Sequence, residues 1–486
     1  MRLYRPSAEE GSMSRLVRAT IVAILVTLLI CPVSPALGDL GSAIDAVVAR
    51  ESLAAGLVGV AVCDPATSAM LYEHNGAKAM LPASTMKTIS CAYALETLGP
   101  DHRFRTTAKV EALEQGAVSG PLYLVGSGDP FTHASDLSAL AESIAQAGIT
   151  SVPGGVVADV SLFSGRRWRG GWTADDFTYG YGAWPDAINL NRQTTRLTVR
   201  PGAVDSPAQV DWDIPEVPFE IANETLTVPE GGHTELWVDR SLDSNRFTVT
   251  GTIALGAEPR AFDRSFVDPG LVAATLLAAR LRDRGVEVGD HIGYGEAPPS
   301  ALEVAALESL PLREILDVTL KISDNLAAEL LVWTTAIERG SGPSFADAMG
   351  DLTRWLEARG MPMDGLRLAD GSGLSRYDYL TPRFLARHMA SMVESPLFSI
   401  FRDCLPVAGV DGTLGNRFRG SILEGKVAAK TGSLSRVACL TGYAPRDDGS
   451  LLAFAVLSSG HDCPTEEVYR AQEDIIAAIM TEELPE

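Results

Sequence analysis

The sequence predicts an α/β protein of the α+β kind, an α/β/α domain with an antiparallel sheet, closed by both ends of the chain and interrupted by a large β-rich insertion. Three observations carry that prediction. Strand-like apolar runs stand near the start (56–63, with a hairpin partner from 69) and near the end (426–430, 437–443 and 451–457). Apolar residues at helical spacing occupy 312–320, 326–339 and 346–359. Between these regions, residues 101–295 alternate short strands with turn residues, a stretch far longer than neighbouring elements of one core require.

Taken in order, residues 1–38 read as a secretion signal. Arg15 and Arg18 precede an apolar run, 21–30, broken only by Thr27. Pro32 and Pro35 follow, and Ala36-Leu37-Gly38 offers a small-x-small cleavage site before Asp39. The run is too short to span a bilayer comfortably. Met13 is a candidate true start, and Leu29-Ile30 ahead of Cys31 lacks the small residue that lipid attachment wants. Secretion without a lipid or transmembrane anchor is therefore the expectation. Residues 39–100 form the first part of the α/β/α domain, with a helix over 84–98 opened by Pro82 and stopped by Gly99-Pro100. Residues 101–295 form one or two inserted domains with helices at 134–147 and 269–284. Residues 296–486 complete the first domain, and a last amphipathic helix, 466–484, lies on the sheet rather than on a bilayer, since its polar face is acidic.

Composition removes several function classes. Without residues 1–38 the chain carries 36 basic against 60 acidic side chains, a net charge near −24, which disfavours nucleic acid and anionic membrane as partners. Five cysteines remain, an odd number that leaves at least one unpaired. Cys63 and Cys439 in strand-like runs and Cys91 in a helix read as small buried hydrophobes, while a Cys404–Cys463 bridge stays open. There is no C-x-x-C and no histidine pair at i, i+4, so neither a metal site nor a cofactor is expected.

Three motifs carry chemistry, and each occurs once: Ser84-Thr85-Met86-Lys87, Ser323-Asp324-Asn325 and Lys430-Thr431-Gly432. With only six lysines and seven asparagines in the chain, chance matches are scarce. A serine hydroxyl needs a base to become a nucleophile. Lys87, one helical turn on, serves if its amine is neutral, and burial or a second cation such as Lys430 favours that form. Ser323 is placed to relay a proton, Asn325 to hold a substrate carbonyl, and Asp324 reads as a helix cap. Lys430 and Thr431 suit a terminal carboxylate, and Gly432 lets an extended substrate approach the strand edge. The backbone N–H groups of Ser84 and Ser433 are candidates for an oxyanion hole. No G-x-S-x-G occurs, which argues against an ordinary α/β-hydrolase.

Together with Tyr181-Gly-Ala183, Asn189-Leu-Asn191, Asp370-Gly-Ser-Gly-Leu-Ser375 and the run 405–414, these motifs resemble the D-alanyl-D-alanine carboxypeptidases of the DacB type (penicillin-binding protein 4 class, peptidase family S13). The resemblance covers nearly the whole chain after residue 38, and the insertion is itself a mark of the class. It implies a serine β-lactamase/transpeptidase-like fold. It also implies hydrolysis of the terminal D-Ala–D-Ala bond of peptidoglycan stem peptides through an acyl-enzyme on Ser84, endopeptidase action on D-Ala–diaminopimelate cross-links, covalent inhibition by β-lactams, and a periplasmic or cell-envelope location. In the family an aspartate of the insertion meets the amino group of the diaminopimelate side chain, and Asp159 is the position that matches. Three alternatives compete. A serine β-lactamase shares the motifs, but the E-x-x-L-N of its class A form is absent. A related esterase has no need of the insertion. A catalytically silent wall-binding protein predicts a lost Ser84, Lys87 or Lys430, and all three are present.

Overall fold

A computed structural model describes residues 39–485, so the predicted secretion signal lies outside the described residues. One sheet joins the two ends of the chain. Its strands are β1 (Leu57–Cys63), β2 (Met70–His74), β3 (Ala428–Leu434), β4 (Val437–Pro445) and β5 (Leu451–Ser459), in the order β3-β4-β5-β1-β2. Every pairing is antiparallel. The period of two in these strands divides their apolar residues between two cores. Ala61, Cys63, Cys439, Ala453, Ala455 and Leu457 face one core; Val60, Val62, Leu440, Leu452, Phe454 and Val456 face the other. Continuous apolar runs are what a sheet covered on both sides requires.

The terminal helices Leu40–Val48 and Thr465–Thr481 cover one face, so the acidic last helix does pack on the sheet. The other face carries Lys87–Leu98, Asn325–Glu338 and Pro382–Val393. Asn325–Glu338 is buried from Asn325 to Ala336 with no exposed stripe, as befits a helix at the centre of a core. Pro382–Val393 escaped the sequence analysis, although Thr381 caps its Phe384 N–H at 3.1 Å and Pro382 opens it.

The intervening chain builds sheets of its own around a separate apolar core. A five-stranded sheet runs Ile292–Tyr294, Val156–Asp159, Leu122–Val125, Arg105–Val110, Leu302–Glu308. Helices Ala134–Gln146 and Pro269–Arg282 supply apolar residues to the same core. A four-stranded sheet of short strands, Glu287–Val288, Ser151–Val152, Ala117–Ser119 and Ala112–Glu114, and two three-stranded sheets, one on Thr194–Arg200 and one on Arg246–Ala254, complete this region. The expected boundary at 295/296 moves: Leu302–Glu308 pairs antiparallel with Arg105–Val110, so the chain leaves the inserted sheets only after Glu308. The alternation in that strand is weak, with four consecutive half-buried residues, and gives sequence reasoning little to read.

All five described cysteines are free, four of them buried, and Cys404 and Cys463 are not joined. Among the described residues, no helix is long and apolar enough to cross a membrane, and no group of three or more potential ligands is placed to hold a metal ion.

Candidate active site

The predicted helix over 84–98 is two elements. Ala83–Met86 is a 3-10 turn, and the α-helix begins at Lys87. This turn sets the half-buried Ser84 at the floor of a cleft while Lys87 enters the core. The turn is wedged on two sides. A Cβ on Gly432 would lie 2.7 Å from the Pro82 carbonyl oxygen and 3.0 Å from the Ser84 nitrogen, and one on Gly373 would lie 1.8 Å from the Ala83 carbonyl oxygen. Glycine at 432 and at 373, where φ is +79°, is thus the condition for strand β3 and the 370–375 loop to close on the nucleophile turn.

Lys87 is fully buried, and its amine has three polar partners. Its Nζ lies 2.9 Å from Ser84 Oγ, 2.5 Å from Asn325 Oδ1 and 2.7 Å from the Ser372 carbonyl oxygen. A neutral amine has two N–H donors and one lone pair. Asn325 Oδ1 and Ser372 O accept the two donors, which leaves the lone pair for the Ser84 hydroxyl. Burial lowers the Lys87 pKa to about 8, against the opposing pull of Asp370, Asp324 and Glu329. Lys430 is likewise buried and pushed well below the usual lysine range, first by burial and then by Lys87.

Asn325 also donates through Nδ2 to the Tyr181 carbonyl oxygen at 2.8 Å, so its amide orientation is fixed from the inserted region. Asp324 caps the helix, accepting from the Ala327 N–H at 2.8 Å, and pairs with Arg192. Ser323 adopts φ 63°, a strained left-handed conformation for a non-glycine residue that over-determined sites sustain.

The cleft over Ser84 has a volume of about 440 Å³ and is lined by Ser323, Asn325 and Ser433 from the motifs, with Asp176, Tyr181, Leu374, Arg376, Leu434 and Ser435. Three further predicted site residues, Lys430, Thr431 and Asp159, lie outside this lining. Lys430 Nζ is turned inward and donates to the Thr431 carbonyl oxygen at 2.9 Å, whereas Thr431 donates through Oγ1 to Thr413 Oγ1 at 2.7 Å. Asp159 does not line the cleft. It ends the strand Val156–Asp159, is buried, and spends its carboxylate on the N–H groups of Ser161 (3.0 Å) and Ala297 (2.8 Å). The carboxylate that the inserted region does bring to the cleft is Asp176. Its neighbours Asp175 and Tyr181 in an acidic and aromatic run were the available sequence signal.

Beneath the cleft is a polar cluster that joins the run Asp370–Ser375 to Glu329, Arg169 and Trp172, three residues that no motif announced. Glu329 accepts from the N–H groups of Gly371 (3.0 Å) and Ser372 (2.9 Å) and from Arg169 Nε at 3.0 Å. Asp370 accepts from the backbone N–H of Ser372, Gly373 and Ser375 and from Trp172 Nε1. Arg169 and Trp172 come from the inserted region, so the loop whose Ser372 carbonyl holds Lys87 is tied to the insertion by a buried ion pair and an indole hydrogen bond.

Comparison with known proteins agrees with this geometry. The sequence pattern of the D-Ala-D-Ala carboxypeptidase 3 (S13) family matches residues 40–482. A D-alanyl-D-alanine carboxypeptidase of Actinomadura sp. (strain R39) is 35% identical over 489 residues, covering 95% of this chain and 90% of that protein. The D-alanyl-D-alanine carboxypeptidase DacB of Haemophilus influenzae is 26% identical, covering 81% of this chain and 83% of its own length. The crystal structure of penicillin binding protein 4 from Haemophilus influenzae superposes with a TM-score of 0.81 at 24% identity, over 90% of this chain and 99% of that one, and so shares the fold. With the family pattern running through both the motif-bearing core and the insertion, this chain belongs to the D-Ala-D-Ala carboxypeptidase 3 (S13) family.

Proposed function

We propose that this protein is a serine-type D-Ala-D-Ala carboxypeptidase of peptidoglycan stem peptides, that it also cuts D-Ala–diaminopimelate cross-links, and that β-lactams acylate its Ser84. One observation carries the reading. Lys87 Nζ stands 2.9 Å from Ser84 Oγ with its two N–H bonds already placed on Asn325 and Ser372. Neutral Lys87 takes the Ser84 proton as Oγ attacks the penultimate D-Ala carbonyl carbon. The backbone N–H groups of Ser84 and Ser433 receive the negative oxygen. Ser323 returns the proton to the departing D-Ala amine, and water repeats the sequence in reverse to release the acyl group. Thr431, whose hydroxyl rests on Thr413 Oγ1 in the free protein, turns it to the substrate's terminal carboxylate, and Lys430 lies buried behind it on the same strand. Residues 1–38 suit export to the cell envelope, where this substrate is found.

A labelled penicillin incubated with the protein, followed by mass mapping, tests the reading. A long-lived adduct on the peptide that contains Ser84 supports it. Prompt release of hydrolysed drug would favour a β-lactamase, and no adduct on folded protein would sink the acyl-enzyme altogether.

The diaminopimelate amino group is assigned to Asp176 rather than Asp159, because Asp176 is the carboxylate at the cleft. Its Oδ1 accepts from Tyr181 Oη at 3.2 Å and its Oδ2 from Thr173 Oγ1 at 2.6 Å, which fixes its position. Asp176→Asn is expected to raise KM for a stem peptide with a free side-chain amine by about 10–100-fold, the worth of one charge-assisted hydrogen bond. The same peptide acetylated on that amine distinguishes wild type from variant far less, and steady-state kinetics on the pair checks it. Equal losses on both peptides would return Asp176 to a purely structural role.

A further inference from the structure

A second groove, of about 860 Å³, borders the cleft over Ser84. The wall between them is a single stretch of chain: Ala174, Asp175, Thr178 and Tyr179 face the groove, and Asp176 and Tyr181 face the cleft. The floor is the outer face of the three-stranded sheet on Arg246–Ala254. On strand Glu235–Arg240, Val238 turns into the core with Phe247 and Val249 of the neighbouring strand. The period of two therefore puts Trp237 and Asp239 on the opposite face, beside their register partners Thr250 and Thr248.

Trp237 is 66% exposed. A large indole displayed on an otherwise polar strand face is the informative kind of exposed apolar residue. The rest of the groove is mixed, with Leu242 and Ala174 beside polar groups, several of which are held in place. Asp239 Oδ1 accepts from Thr178 Oγ1 and from the Arg240 N–H, both at 2.8 Å, which leaves Oδ2 for a ligand. Tyr179 is clamped between the parallel ring of Tyr181, 5.5 Å away, and the Arg264 guanidinium, 5.0 Å away. The Arg240 guanidinium donates to backbone carbonyls, including Phe177 O at 2.8 Å, so the charges the groove presents to a ligand are the carboxylates Asp175 and Asp239.

We infer that this groove binds the N-acetylhexosamine glycan strand to which the stem peptide is attached. A pyranose ring has an apolar face of axial C–H groups and a rim of hydroxyl and acetamide N–H donors. An open indole fits the first, and carboxylates with threonine hydroxyls fit the second. An anionic ligand meets two carboxylates and is disfavoured. The choice of this sugar rests on reading the Ser84 cleft as a peptidoglycan site. Continuity through residues 174–181 lets one polymer occupy both cavities.

Binding is measured without turnover by calorimetric titration of the full chain carrying Ser84→Ala with the N-acetylglucosamine tetramer. The tetramer is expected to bind, and adding Trp237→Ala to weaken it by about tenfold, the worth of one aromatic stack. In the active enzyme, Trp237→Ala is expected to lower by a similar factor the ratio of kcat/KM for a disaccharide-bearing muropeptide to that for the same peptide without sugar. A tetramer that does not bind, or an unchanged affinity in the folded Trp237→Ala variant, overturns the inference. So does a dimer in sedimentation that Trp237→Ala disperses, which would give this face to a second copy of the chain. If the tetramer binds while neither peptide is cleaved, the groove stands and the carboxypeptidase reading fails.

Discussion

Ser84→Ala, Lys87→Met and the double variant are all expected to lose acylation by penicillin and peptide hydrolysis to a similar extent, ~10⁴-fold or more in kcat/KM. The three agree because nucleophile and base act as one unit: without Lys87 the hydroxyl keeps its proton, and without Ser84 the amine has nothing to deprotonate. Lys87→Met fits because the lysine is fully buried and methionine has a similar unbranched length. It leaves Asn325 Oδ1 and the Ser372 carbonyl oxygen without their donor, which costs ~1–3 kcal/mol for each buried acceptor. Thermal unfolding separates that loss from the chemistry. A folded Lys87→Met protein that labels at the wild-type rate would remove Lys87 from the mechanism.

The same pair sets the pH dependence. The base works only as the neutral amine, and burial brings its pKa down to about 8. The acylation rate constant is therefore expected to rise tenfold per pH unit below about 8 and to level off above it. The sign follows from the form required: raising pH empties the site of its proton. An unshifted lysine would place the same limb more than two units higher. Stopped-flow acylation across pH 6–10 checks the position, and a rate that fell with pH over this range would contradict the assignment of base.

How much of this was legible depended on whether the information was local. The three motifs are short and rare, and the structure brings Ser84, Ser323, Asn325 and Ser433 to one cleft. The alternating cores of β1, β4 and β5 likewise follow from period and composition. Asp159 lies outside the lining of the cleft, and a match within 157–163 says nothing about which way a carboxylate faces. Asp159 ends a strand whose next turn and a returning segment at Ala297 both need an acceptor. Asp176 lies 92 positions from Ser84, and only the packing of residues 174–181 against Asn325 brings it near. Lys430 is a different case. Its place on β3 was read correctly, but the side chain lies inward, because the carbonyl of Thr431 is the acceptor that burial leaves it.

The pairing of Arg169 with Glu329 spans 160 positions and yields the largest expected effect on stability. Arg169→Met is expected to destabilise the protein by ~3–5 kcal/mol, the usual result of stranding one partner of a buried ion pair. Arg169 and Glu329 are 3% and 0% exposed, and the guanidinium also lies over the rings of Trp333 and Phe345, at 4.6 and 3.4 Å. Both groups shift as burial dictates and against their pairing: Arg169 downward, Glu329 upward to about 7. A carboxyl raised in the folded state contributes stability that is fully present below its unfolded pKa and fades as pH rises through about 7. The cost of losing Arg169 is accordingly expected to grow with pH, small near pH 5 where Glu329 holds a proton and full near pH 8. Adding Glu329→Gln should recover part of the loss, since the stranded charge is gone. Urea midpoints for wild type and the two variants at pH 5 and 8 measure all three terms. The same variant reaches the chemistry, because Glu329 holds the N–H of Ser372 at 2.9 Å and the carbonyl of that residue holds Lys87 at 2.7 Å. Slower acylation in Arg169→Met at pH 8, relieved by Glu329→Gln, would show the insertion acting on the base through this loop, and an unchanged rate in a destabilised protein would confine the ion pair to holding the fold together.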